Sequence, residues 1–558
     1  VAKQAVDAIV HGGVIPAIGL DPRLDAAATA GRPTALAIAG GRITAVGDES
    51  LLELAGPQTE LVNAQGGAIL PGLNDAHLHF CATSMIEHAH LPLGAAASWE
   101  HVAGLLRHAE PDASGWIRAH GWDEVTLGSP GQALRRLRED TPLVAFDASG
   151  HQVLLNDAGL RALGLDTEQQ PVDGGVIRTG EDGLPSGLFI DGAVALVSSR
   201  LPEFPAETLR AGLLAGQRRL HSWGITSLTE PGLGPGGASL MAASCSTASL
   251  QALAALARAG ELSLRITCLL LFGGTGGESE QSVAAGLASE LPGLAAGIDP
   301  LQLRIGGVKV FADGIPRSGT SWMSQEYQLP CGHGHGHMVL RGDNDEQRLD
   351  QLQRILAAVD AAGLQAGIHS TGDATTAAVI DALSALPARD ARHYVIHGAF
   401  TGLDELQRME RAGIGYSTNP AIRAVAGTLM RRVLGAERFA AHQPLAAAAQ
   451  ASIATTIASD SPVTSADWRH SVIAAVTRNT SAGPGGDDPQ RISLAQALSM
   501  MTATAARQDH AEQHKGSIQP GLLADLCILE RPLDPDIHEL AGNRTTRTLV
   551  GGRTVYQR

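Results

Sequence analysis

The sequence predicts an α/β protein: a (β/α)8 TIM-type barrel, a composite β-sandwich domain from both termini, and an inserted α/β subdomain. Three observations predict it. Eight short apolar runs alternate with longer helical patterns through the middle of the chain, which is the signature of βαβ units and a parallel sheet. Two turn-rich β segments stand at opposite ends of the chain. The 558 residues exceed the roughly 250 a barrel needs, which leaves room for both additions.

At the start, ALAIAGGRITAVGD (35–48) and TELVNAQGGAILPG (59–72) read as short strands with turns, and GLLADLCILE (521–530) and TRTLVGGRTVYQR (546–558) read the same way. Residues 1–70 and 517–558 are therefore expected to form one β domain, with the barrel (71–516) between them. The barrel strands are expected in GAILPGLNDAHLH, at 224–230, 262–272, 303–314, 364–370, 393–398 and 413–419, and at 452–460. Between the first two lies a long excess containing WIRAHGWDE and TPLVAFDASGHQVLLN, read as a subdomain inserted over 91–222. Gly-rich stretches such as GLGPGGAS (232–239) read as surface loops.

Composition narrows the function. The formal net charge is −16 and no dense basic run occurs, so no nucleic-acid partner is expected. No window approaches the roughly 20 apolar residues of a membrane span, so no membrane partner is expected either. The opening VAKQAVDAIVHGG lacks a signal-peptide layout. Five scattered cysteines do not make a disulfide framework, and the expectation is a cytoplasmic protein. A homodimer is expected only on general frequency.

In barrels of this kind the chemistry gathers at the C-terminal ends of the strands. The first run ends His77-Leu78-His79, and alternate residues of a strand face one way, so both imidazoles are expected to reach one point. The fourth contains Lys309, one of only three lysines in the chain, between Val308 and Val310. A buried ammonium without a partner costs several kcal/mol. Two readings follow: a carboxylate pairs with it, Asp313 being on the same strand face, or CO₂ has converted the amine to a carbamate able to bridge two metal ions. The fifth, sixth and eighth runs end in His369, His397 and Asp460. Singly, such residues are ordinarily core histidines or a turn-forming aspartate. As an ordered set, imidazoles with a carboxylate suit Zn²⁺ and related divalent ions.

With their surroundings, these residues resemble the amidohydrolase superfamily of metal-dependent hydrolases. LPGLNDAHLHF (70–80) is similar to its first-strand motif, and ITAVGD (43–48) and GLLADLCILE to its sandwich signatures. KVFADG (309–314), His369-Ser-Thr-Gly-Asp373, SDSPV (459–463) and SGHQVLLN (149–156) resemble the branch containing N-substituted formamide deformylases. The resemblance implies that His77, His79 and Asp460 hold the more buried metal. It implies that Lys309, as N6-carboxylysine, bridges to a second held by His369 and His397, one or two Zn²⁺ ions being expected. Two departures concern the surroundings of these ligands: Ile396 and Ala399 flank His397 where the branch often has Glu and Gln, and Ile-Pro-Arg-Ser-Gly follows the ADG run.

The implied activity is hydrolysis of an amide C–N bond by metal-activated hydroxide, with a small-molecule substrate such as an N-substituted formamide or N-acyl amine. Asp460 is expected to carry the proton. His151 and Trp122, in the insertion, and Arg317, after the fourth strand, are the candidate substrate contacts. Cyclic-amide hydrolysis or deamination is the alternative within the superfamily, and Lys309 argues against deamination. A non-catalytic binding or regulatory protein is the reading from another class. The conspicuous CGHGHGHM (331–338) falls between the fourth and fifth strands, and its glycines make it a loop whose His333, His335 and His337 are not needed as ligands.

Overall fold

A central sheet of eight parallel strands runs in chain order: Leu73–Asp75, Ile225–Leu233, Arg265–Leu270, Leu303–Phe311, Gln365–Ser370, Tyr394–His397, Gly415–Thr418 and Thr455–Ile457. The computed structural model describes residues 6–16, 18, 32–130, 134–150, 152–172, 175–240, 244–274, 277–328 and 334–558. The strands are buried almost throughout, and helices such as Ala206–His221, Thr247–Arg258 and Asp345–Ala361 cover them. Apolar runs buried on both sides are what parallel strands require.

The first and last strands meet through the segments that follow them. The Asp460 amide donates to the His77 carbonyl at 2.9 Å, and the His79 amide donates to the Ser461 carbonyl at 3.0 Å. Asp75 reinforces the seam by accepting from the amides of His77 and Ser459, both at 3.2 Å.

The first sequence run is divided between two sheets. Ile69–Pro71 pairs antiparallel with Leu526–Leu529, while Leu73–Asp75 joins the barrel. The chain crosses at Gly72, where a Cβ would stand 2.2 Å from Thr226 Oγ1, so only glycine fits. The strand therefore ends at Asp75, and His77 and His79 lie beyond it, His79 being the N-cap of the helix Phe80–Ala89. The alternating-strand rationale for this pair is thus corrected: a loop and a helix start place the two rings.

Four N-terminal strands (Ala8–His11, Ala35–Ala39, Arg42–Gly47, Glu60–Asn63) form one outer sheet, and Ile69–Pro71 with three C-terminal strands (Leu526–Leu529, Thr545–Val550, Arg553–Gln557) forms another. Val10, Leu36, Ile38, Ile69, Leu526 and Ile528 share one core between them.

Between the first two barrel strands lies a six-stranded sheet that includes Ile117–Trp122, Leu143–Asp147, Gln152–Leu155 and Pro185–Asp191. Leu143 and Ala145 face one apolar cluster, and Val144 and Phe146 the other, as strand alternation demands. Asn156 ends one of these strands, accepting from the Gly159 amide at 2.7 Å and capping the helix Asp157–Leu163. Among the described residues no helix is long and apolar enough to cross a membrane.

Candidate metal centre

The loop after the first strand and the loop after the eighth bring three donors together. Asp460 Oδ1 lies 3.3 Å from His77 Nε2 and 3.4 Å from His79 Nε2. All three residues are buried, and their donor atoms fall within 4.8 Å of one another. Among the described residues neither ring nitrogen of His77 has a hydrogen-bond partner, although the ring is fully enclosed. Orphaned buried nitrogens are rare, and imidazole nitrogens with a carboxylate oxygen converging on one point fit a divalent cation. Asp460 and His397 both stand at left-handed backbone angles, φ 56° and 69°, which non-glycine residues adopt at a cost.

The ring of His397 lies 5.5 Å from that of His77 and 4.7 Å from that of His369, so the imidazoles form a continuous group. Each of these two outer rings is held from behind. The Gly314 carbonyl, which can only accept, takes the His369 Nε2 proton at 2.9 Å and leaves Nδ1 as the lone pair. Asn419 Oδ1 holds His397 Nδ1 at 2.7 Å and leaves Nε2. Burial, with neighbouring His397 and Lys309 adding to it, drives His369 well below the usual histidine range, and burial and Lys309 do the same to His77. Both are therefore neutral, the form that binds metal. Burial alone would raise the Asp460 carboxyl, but His77 and His79 overcome it and hold it well below the ordinary range.

Lys309 is buried in the fourth strand, its Nζ 4.8 Å from the Phe311 ring centroid. Burial pulls its amine down to about 7 against the opposing pull of Asp460 and Glu278. Asp313 is not the ion-pair partner that the sequence left open. Its carboxylate accepts from the Thr371 amide at 3.0 Å, the Gly372 amide at 2.8 Å and the Thr375 hydroxyl at 2.7 Å. It thereby shapes the turn after the strand that carries His369.

The expected substrate contacts fare differently. Trp122 is fully enclosed in the core of the inserted layer, its indole N–H donating to the Ala145 carbonyl at 2.9 Å, so it is a packing residue and not a pocket wall. His151 lies outside the described residues, as does His333. Arg317 is half-buried in the turn Pro316–Ser318 after the Lys309 strand. His335 is exposed and tethered, its Nδ1 3.1 Å from the Met323 carbonyl, and Met338 bridges to Asp313.

Three residues near the centre escaped the sequence reading: Asn419, Glu230 and Glu278. Glu278, fully buried, acts electrostatically on Lys309; burial pushes its carboxyl up to about 8. Asn419 follows the seventh strand and Glu230 lies in the second, and a signal was available, since both are polar positions within barrel-strand runs. Neither is of a type that spacing marks as a ligand.

An eight-stranded barrel that carries four histidines, a lysine and an aspartate in its strands and in the loops that follow them is the architecture of a metal-dependent hydrolase. The sequence pattern of the amidohydrolase family matches residues 60–556, and the chain belongs to that family. It is accordingly a hydrolytic enzyme acting on carbon–nitrogen bonds. The Arabidopsis thaliana protein LONG AFTER FAR-RED 3 is 26% identical, over 93% of this chain and 88% of its own. The N-substituted formamide deformylase of Arthrobacter pascens is 24% identical, over 94% of this chain and 95% of its own. Among solved structures, a metal-dependent hydrolase of Pyrococcus horikoshii ot3, described as uncharacterized, superposes with a TM-score of 0.75 at 21% identity, covering 96% of this chain and 99% of that one.

Proposed function

We propose that the protein hydrolyses the amide bond of an N-substituted formamide or a related N-acyl amine, with Asp460 as the proton carrier. The observation that carries this is the placing of one Asp460 oxygen, Oδ1, against both His77 Nε2 and His79 Nε2 at 3.3 and 3.4 Å. Oδ2 is then the oxygen left for proton transfer. The similarity to the Arthrobacter pascens formamide deformylase supports the substrate class.

His77, His79 and Asp460 would hold one divalent ion, Zn²⁺ in our reading, and His369, His397 and a carboxylated Lys309 a second. When bound, such an ion supplies Lewis acidity, polarising the substrate carbonyl and bringing the pKa of the water nucleophile near neutrality. Asp460 takes a proton from water as the O–C bond forms. It returns that proton to nitrogen as the C–N bond breaks, releasing the carboxylic acid and the amine. The buried setting of Lys309 favours the neutral amine, which adds to CO₂ with loss of one proton to give the carbamate. The left-handed backbone at Asp460 and the hydrogen bond its N–H donates to the His77 carbonyl fix the carboxylate in register with both rings.

The test is a panel of N-substituted formamides, N-acyl amines and N-acyl amino acids with amine release measured, before and after chelation and in Asp460→Asn. Amine release that falls at least about a thousandfold in Asp460→Asn is expected for loss of the proton carrier at a metal-activated site. Substantial turnover by metal-loaded Asp460→Asn would remove Asp460 from that role, and a panel without turnover would remove the substrate class.

A further inference from the structure

Behind His79, on the side away from Asp460, a second group of donors converges. His79 Nδ1, a carboxylate oxygen of Glu230 and the Cys245 sulfur lie within 4.8 Å of one another, and all three residues are buried. Glu230 Oε2 accepts from the Cys81 amide at 2.8 Å. Its Oε1 faces His79 Nδ1 at 4.0 Å, and among the described residues neither of these two atoms has a hydrogen-bond partner. Cys245 is a free, buried thiol.

The Cys81 amide belongs to the first turn of the helix Phe80–Ala89. That turn places positive charge density on Glu230, beside which the Cys245 sulfur lies. The protein thus sets a carboxylate and a sulfur side by side and leaves a carboxylate oxygen and an imidazole nitrogen facing each other without hydrogen bonds. A gap of 4.0 Å is too long for a hydrogen bond. Metal–nitrogen and metal–oxygen bonds of about 2.0–2.2 Å span it.

We propose that His79, Glu230 and Cys245 form a further metal site, selective for a thiophilic cation of the Zn²⁺ or Cu⁺ class, which shares His79 with the Asp460 centre as a bridging imidazolate, the His79 Nδ1 proton and the Cys245 thiol proton being released to solvent as the cation binds. Soft thiolate with imidazole is the donor set that selects such ions over Mg²⁺ or Ca²⁺. A cation there fixes the His79 ring plane from behind, in the place that a carbonyl fills for His369 and an amide for His397.

Cobalt reports on the sulfur directly. Protein stripped by chelation and reloaded with Co²⁺ is expected to show an intense near-ultraviolet thiolate-to-cobalt absorption, which imidazole and carboxylate ligands do not give. The band is expected to vanish in Cys245→Ser, together with one equivalent of bound metal. It is expected to survive in Asp460→Asn and in Cys268→Ser. It is also expected to survive in Cys331→Ser, which removes the thiol of the Gly-His run. Glu230→Gln, nearly isosteric, is expected to weaken binding of that equivalent by at least about tenfold in competition with a chromophoric chelator. Absence of the band in the fully loaded parent protein, its persistence in Cys245→Ser, its loss in Cys331→Ser, or unchanged affinity in Glu230→Gln would each overturn the proposal. Amide turnover is read separately: an inactive protein that keeps the band sinks the amidase reading and not this one.

Discussion

Asn419 Oδ1 lies 2.7 Å from His397 Nδ1, while the amide nitrogen of the same side chain donates to the Ala458 carbonyl at 3.1 Å. A carbonyl can only accept, so the Asn419 amide has one orientation, and His397 carries its proton on Nδ1. The lone pair of Nε2 is then free to face the other rings. Asn419→Ala is expected to lower metal affinity by about 10–100-fold, read by competition with a chelator. A folded variant with parental affinity would show that the ring is held by packing alone.

Lys309 supplies the second prediction. In Lys309→Met the apolar surroundings are kept and the amine is lost, so the fold is expected to persist while bound metal falls by one equivalent. Metal analysis after gel filtration checks this. An unchanged stoichiometry would remove Lys309 from any bridging role.

A buried network away from the donors predicts a stability effect. Asp509 accepts from Lys515 Nζ at 2.7 Å, from Asn74 Nδ2 at 2.8 Å and from the Thr229 hydroxyl at 3.1 Å. Removing the cation leaves a buried carboxylate without charge compensation, which costs about 3–5 kcal/mol. Two remaining donors put Lys515→Met near the lower end, as a clear fall in Tm. Since Asn74 and Thr229 belong to the first two barrel strands, the loss is expected in the barrel transition. A Tm within a degree of the parent would contradict it.

Two histidines remote from the centre set a pH dependence. Burial draws His221 down to about 4, although the Ile225 carbonyl pulls the other way, and burial draws His90 down to about 3. The unfolded chain binds their protons near the ordinary value of 6.5, and the folded chain does not. Their contribution is therefore complete above pH 6.5 and is lost as pH falls, levelling off below the folded values. One pKa unit corresponds to about 1.4 kcal/mol, so His221 alone contributes about 3 kcal/mol between pH 6.5 and 4. Thermal unfolding of His221→Gln is expected to show a shallower fall in Tm between pH 7 and 5 than the parent, and an equal slope would assign the loss elsewhere.

Much of this architecture is legible in the sequence, because a parallel strand buried on both faces is a continuous apolar run and a helix has its own period. The His-x-His pair, the isolated Lys309 and the aspartate of ASDSP announce themselves against such runs. Trp122 misled because an aromatic beside a charged pair, as in HGWDE, reads alike in a pocket wall and in a core; only the Ala145 carbonyl and the packed layer distinguish them. His77 and His79 are neighbours for a reason other than strand alternation, which cannot show that Gly72 hands the chain from one sheet to another.

The sequence by itself determined the barrel order, the additions at the termini and in the insertion, and the residue types able to bind a metal, because each is a local pattern of apolarity or chemistry. The tertiary structure decided which atoms face one another: Asp460 with His77 and His79, Asn419 with His397, Gly314 with His369, and Glu230 with the back of His79. Those partners stand tens to hundreds of residues apart along the chain. Only closure of the sheet, with its strand ends gathered at one mouth, brings their lone pairs and protons within bonding range.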